Sequence, residues 1–223
     1  MGLAALACQA REIKPIEAVA SDYVPLLHHA GYEAYPFDIS SLSDSMYQIR
    51  FVIREYEHGN LVSKDYLDWP KCRNNMMLVS RFSPEDQASI KPEEMADPDR
   101  GIYRLAKKMQ IGFVPAERDS LRPVILDVEN MGTMSIPLKM KPVEGGSSDR
   151  VSYMYASRPF AVGELVIGEF TPLLLLGSYW FDERFNVTRF CGESVIDADM
   201  QARILKDIPH YYVIGVVITP AEK

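Results

Sequence analysis

The stretch GELVIGEFTPLLLLGSYWFD, residues 163–182, decides the fold: Leu165, Val166, Ile167, Phe170, Leu173, Leu174, Leu175, Leu176, Tyr179, Trp180 and Phe181 crowd into it. Gly168, Pro172 and Gly177 interrupt it, and Glu164, Glu169, Asp182 and Glu183 charge it. That is too broken for a membrane-spanning helix, which needs about 20 consecutive apolar residues, so the stretch reads as buried strand. Residues 173–176 lack alternation, which predicts a central strand covered on both faces. The continuous apolar, β-branched run at 211–219 is its natural partner, another strand of a sheet interior.

Outward from this centre the pattern stays β. Tyr47, Ile49, Phe51 and Ile53 alternate with Gln48, Arg50 and Arg54, a half-buried strand. His58, Gly59 and Asn60 then turn the chain into a returning arm at 61–67. Residues 122–141 form a second hairpin about a turn at 130–133. Pro137 cannot donate to a ladder, so its strand belongs at an edge, and the acidic pair Asp127 and Glu129 is expected to oppose Lys139 and Lys141. Shorter strands are expected at 76–82, 102–105, 109–114 and 151–156, and the opening stretch is expected to pair through 182–184 with 185–190.

Helices are few. Ser21 or Asp22 caps one that ends at Gly31, with Pro25 in its first turn, and Asp197 or Asp199 caps a short one containing Met200, Ile204 and Leu205 before Pro209. Many short strands with two or three brief helices predict a mainly β protein, an antiparallel β-sandwich. The loop at 143–150 does not divide it: residues 11–223 read as one β-rich domain.

At 223 residues the chain can bury roughly 70–75% of its unfolded surface. Its 31 acidic against 24 basic residues, a formal charge of −7, disfavour nucleic acid, whose phosphates reward basic patches. Residues 1–10 are uncharged and small or apolar, and Ala5 with Ala7, or Cys8 with Ala10, satisfies a signal-peptidase rule. The segment reads as the remnant of an export signal, or as an ordinary terminus. If Cys8 is removed, Cys72 and Cys191 remain, as one disulfide or as two separate thiols.

No phosphate loop, dinucleotide fingerprint, zinc helix or nucleophile elbow occurs, and Ser194 lacks the second glycine that an elbow requires. His28 and His29 point about 100° apart on their helix, and His210 beside Tyr211 and Tyr212 reads as packing. Asp197 and Asp199 lack the rest of a calcium loop. Asp182 and Glu183 are neighbours, not carboxylates facing each other across the about 5–9.5 Å of a glycosidase pair. Residues 186–188 spell a glycosylation sequon. No catalytic residue, metal or cofactor is therefore expected. Tyr179, Trp180, Asp182 and Glu183, with Trp69, make the candidate binding surface, where aromatic rings stack on a ligand if exposed.

Several segments together, SDY at 21–23 with AGY at 30–32, RGIY at 100–103 with LAKKMQIGFVP at 105–115, RFCGES at 189–194 and IPHYYVIG at 208–215, resemble a family of uncharacterised secreted proteins from gut Bacteroidetes, a domain of unknown function. The resemblance implies export and brings no catalytic residues. Members begin with a complete export signal, from which the start here departs. The expectation is an exported, periplasmic or extracellular β-sandwich module that binds a small molecule, glycan or envelope protein. The alternatives are a hydrolase whose carboxylate-based site forms only in the fold, and a structural envelope component.

Overall fold

A computed structural model describes residues 17–43, 45–63, 73–116, 118, 120–143 and 152–221. In chain order the elements are α1 (Ala20–His29), β1 (Glu33–Asp38), β2 (Tyr47–Glu57), β3 (Asn60–Ser63), β4 (Arg73–Asn74), β5 (Met76–Leu78), α2 (Pro84–Ser89), β6 (Met95–Asp97), β7 (Ile102–Arg104), β8 (Lys108–Phe113), β9 (Leu121–Val128) and β10 (Gly132–Lys139). Then follow β11 (Tyr155–Ala161), β12 (Phe170–Ser178), β13 (Trp180–Asp182), β14 (Val187–Arg189), β15 (Ile196–Asp197), α3 (Ile204–Asp207) and β16 (His210–Pro220).

Two sheets face each other in a mainly antiparallel sandwich. One has the order β1-β8-β9-β10; the other runs β15-β11-β12-β16-β2-β3, with β4 also on β2. The expected centre is met: β12 pairs with β16, Leu175 against Val213 and Leu176 against Tyr212. Both faces are covered, as an unbroken apolar run requires. Leu174, Leu176, Tyr212, Ile214, Ile53 and Phe51 point into the layer between the sheets, against Ile111, Leu126 and Leu138. Leu175, Tyr211 and Val213 point the other way, under Ile204, Leu205 and Ile208.

A bulge interrupts this pairing: Pro172 lies opposite Gly215 and Leu174 opposite Ile214, so Leu173 is the extra residue. The backbones close in there. A Cβ on Gly215 would stand 2.2 Å from the Thr171 carbonyl oxygen.

The hairpin of β9 and β10 forms with Pro137 on an edge strand. Its charge pairing does not. Antiparallel register sets the end of one arm against the start of the other, so Lys139 opposes Leu121, and Asp127 opposes Thr133, whose hydroxyl it accepts. Glu129 accepts the Lys107 N–H at 2.7 Å instead. The strand expected at 76–82 is cut to β5 by a tight turn at Val79–Arg81.

α1 starts a turn earlier than expected, after Val19, whose N–H the Asp22 carboxylate accepts at 2.8 Å; Pro25 therefore lies inside the helix rather than in its first turn. Gly31, at φ +91°, ends it with the Tyr32 N–H bonded to the Leu27 carbonyl at 3.0 Å. α3 is only one turn and neither Asp197 nor Asp199 caps it. Glu193, from the preceding loop, accepts the N–H groups of Arg203 and Ile204, each at 3.3 Å. No helix among the described residues is long and apolar enough to cross a membrane.

Candidate functional site

Where β12 ends, the chain leaves the core through Tyr179 and turns back as the hairpin of β13 and β14. Antiparallel pairing sets Trp180 opposite Arg189 and Asp182 opposite Val187. Beside this hairpin, Gly192 at φ +125° lies against Ile204, and the buried Ile204 and Leu205 anchor α3 over the outer face of β16. The hairpin and α3 border a cleft of about 420 Å3 whose lining includes Trp180, Asp182, Arg184, Arg189, Glu193, Arg203 and Asp207, with Cys191.

Its carboxylates differ in how far they are engaged. Asp182, only 8% exposed, accepts the Arg184 N–H at 3.0 Å and pairs with the guanidinium groups of Arg184 and Arg189. Burial alone would raise its pKa; the hydrogen bond from Arg184 and the charges of both arginines outweigh it and hold the carboxyl below its ordinary value. Glu193 is likewise held low, first by its own backbone N–H and then by those of Ile204 and Arg203. Among the described residues Asp207 pairs with Arg203, at 3.8 Å. Of the arginines, Arg189 lies over the Phe185 ring, 4.8 Å from its centre, with its Nε buried and unbonded, while Arg203 stands 85% exposed.

Trp180 and Asp182 are thus brought together. Glu183 sits exposed in the hairpin turn, and Tyr179 lines a separate hollow of about 360 Å3 that also includes Arg122 and Tyr155. Trp69 lies outside the described residues, as does Cys72; its suggested partner Cys191 is exposed. The three arginines were missed from sequence. Arg189 was accessible from the expected pairing through 182–184 with 185–190; Arg203 reaches the cleft from the start of a helix that no local signal connects to it.

A second polar group lies between the sheets. His210, 2% exposed, places Nδ1 at 2.5 Å from the Tyr155 hydroxyl and Nε2 at 3.0 Å from Glu55. The Lys141 N–H donates to the same Tyr155 oxygen at 2.8 Å, and Tyr212 donates to the Lys139 carbonyl at 2.9 Å. Burial lowers the His210 pKa against the opposing pull of Glu55, which leaves a neutral ring. The Tyr155 phenol is pushed up by burial. Sequence reading took His210 as packing, and it does meet Tyr155 and Tyr212 edge-on, yet it is also bonded at both nitrogens. Among the described residues no group of His, Cys, Asp and Glu is arranged to hold a metal ion.

A family model described as Domain of unknown function (DUF5041) matches residues 3–220, and the chain belongs to that family. No curated protein and no solved structure matches the chain.

Proposed function

We propose that this family member is an exported, non-enzymatic β-sandwich module, working in the periplasm or outside the cell, that binds a small molecule, glycan or envelope partner in the cleft beside Trp180. One observation carries the reading. Two elements anchored in the core, the β13–β14 hairpin and α3, present an aromatic ring and three guanidinium groups to one ligand-sized hollow. Export is supported by the uncharged, small-residue start at 1–10.

Screening the protein against glycans and envelope extracts tests the binding role: capture of a ligand, lost in Arg203→Gln with the thermal midpoint retained, is the expected result. Absence of any binding together with turnover of a substrate overturns it. Sequencing the N-terminus of protein from its native host tests export; a terminus just after Ala7 or Ala10 supports it, and an unprocessed cytosolic chain overturns it.

The hydrolase reading draws on Tyr155, His210 and Glu55, a phenol, imidazole and carboxylate in the order of a nucleophile, base and orienting group. Against it, the imidazole is buried and the phenol oxygen already accepts the Lys141 N–H. Hydrolysis lost in His210→Gln, with the fold kept, would favour it.

A further inference from the structure

Resting on the reading of the cleft as a binding site, we infer that its ligand class is a carboxylated sugar, a ring bearing one carboxylate and several hydroxyls. The argument is one of complementary groups. Each guanidinium carries five N–H donors in a planar fork suited to a carboxylate. In the cleft these donors outnumber their acceptors: Asp182 engages Arg184 and Arg189, while Arg203, 85% exposed, meets Asp207 at 3.8 Å and lies near Glu193, whose oxygens accept backbone N–H groups. An acceptor-rich ligand answers that surplus.

Charge narrows the class. Arg184, Arg189 and Arg203 against Asp182, Glu193 and Asp207 sum to zero, on a chain of formal charge −7. A single carboxylate matches one fork, whereas a phosphate carrying about −1.5 to −2 brings further negative charge against the same three carboxylates. Asp207, 44% exposed and weakly paired, remains open as an acceptor, which calls for hydroxyl donors on the same ligand. Trp180, which also packs against Phe190 and the core, borders the same cleft with its remaining apolar edge, against which the carbon face of a ring fits.

Calorimetric and NMR titration of the full chain with glucuronic acid, an oligogalacturonide, glucose and inorganic phosphate tests this, alongside Arg203→Gln and Trp180→Ala. Both variants are checked by thermal melt. The expected result is binding of the uronates but not of glucose or phosphate, weakened about tenfold by Arg203→Gln, the loss of one charge-assisted hydrogen bond, and further weakened by salt. Glucose binding as well as the uronates, with Arg203→Gln silent and Trp180→Ala disruptive, overturns the carboxylate class and leaves the binding site standing. Phosphate binding alone overturns the class in favour of a simple anion site. If no uronate binds, the class is wrong; if in addition no ligand found by screening depends on Arg203 or Trp180, the binding reading fails with it.

Discussion

The Tyr155 hydroxyl lies 2.5 Å from His210 Nδ1, a buried contact that links β11 to the start of β16. Because the Glu55 carboxylate can only accept, the neutral imidazole carries its proton on Nε2 toward it, and the Tyr155 phenol donates to Nδ1 while accepting the Lys141 N–H. A second proton on the ring would reverse the Tyr155 bond and leave the phenol proton without its acceptor. The charged groups nearby are Glu55 and Glu57 on β2 and Lys141 after β10, with Ser178 on β12 bonded to the His210 N–H. The folded pKa lies below the ordinary 6.5, so His210 contributes stability that is present above 6.5 and is lost as pH falls below it. Chemical denaturation at pH 8, 7, 6 and 5.5 should show a decline below 6.5, limited to about 1.4 kcal/mol per pH unit for one proton. His210→Gln should flatten it. Equal slopes in the two proteins would refute the assignment.

A second tie joins the sheets through Glu33 on β1. Its carboxylate accepts Arg122 Nη2 at 2.5 Å, the Tyr35 hydroxyl at 2.8 Å and the Ser157 hydroxyl from β11 on the opposite sheet. Burial alone would raise the Glu33 pKa; bonds from Ser157 and Tyr35 and the charge of Arg122 hold it below 4.5, while burial pushes the Tyr35 phenol up to about 12. The sign matches that of His210: stability is present above 4.5 and lost as pH falls through the depressed value. Glu33→Gln should cost about 1–3 kcal/mol at pH 7, since Arg122 keeps its place over Phe113 without its carboxylate partner. A double-mutant cycle with Arg122→Met should return a coupling energy well above zero; additive losses would show that the two side chains act independently.

What could be read from sequence was whatever depends on periodicity and backbone chemistry. The unbroken run at 173–176 announced a strand covered on both faces, Pro137 an edge, and Gly31 a helix end. What failed depends on register or on distance. Asp127 and Lys139 look paired only until the antiparallel register is counted. α3 is capped by Glu193, ten positions before Arg203, whereas capping rules look two or three positions away. The cleft was half legible: Trp180 and Asp182 stand where the aromatic run leaves the core, but Arg203 reaches them only because Ile204 and Leu205 are buried against β16. The bonded state of His210 needed partners from β2 and β11, 155 and 55 positions away.

Asn75, 1% exposed, is another residue whose role is invisible in sequence. Its side chain accepts the Tyr47 N–H at 2.7 Å and donates to the Leu42 carbonyl at 2.5 Å; its own carbonyl accepts the N–H groups of Leu105 and Ala106. It joins the start of β2 to two loops that carry no ladder of their own. Asn75→Ala leaves a buried donor and a buried acceptor unsatisfied, at about 1–3 kcal/mol each. The loss should appear in the denaturation midpoint as about 2 kcal/mol or more. Ser89→Ala, which removes one exposed bond to the Asp86 carbonyl, should cost about 1 kcal/mol or less. Similar losses in both would refute the hub.

Gly215 carries the sharpest prediction, because the conflict is with backbone rather than with a side chain that can swing away. β16 passes the bulge in β12 so closely that a methyl at Gly215 would lie 2.2 Å from the Thr171 carbonyl oxygen and 2.7 Å from the Phe170 ring. Phe170 is not free to move, since the Arg54 guanidinium lies 3.8 Å from its ring centre on the far strand of the same sheet. Relief therefore requires β12 and β16 to part at the middle of the core, where Leu173 and Leu174 enter the layer between the sheets. Gly215→Ala should cost about 3 kcal/mol or more, the upper end of overpacking penalties. Gly163→Ala, where a methyl meets nothing within 4 Å, supplies the control and should change stability by under about 1 kcal/mol. If Gly215→Ala instead unfolds at the same denaturant concentration as this control, the close approach of the two strands is wrong, and with it the bulge that turns Leu173 inward.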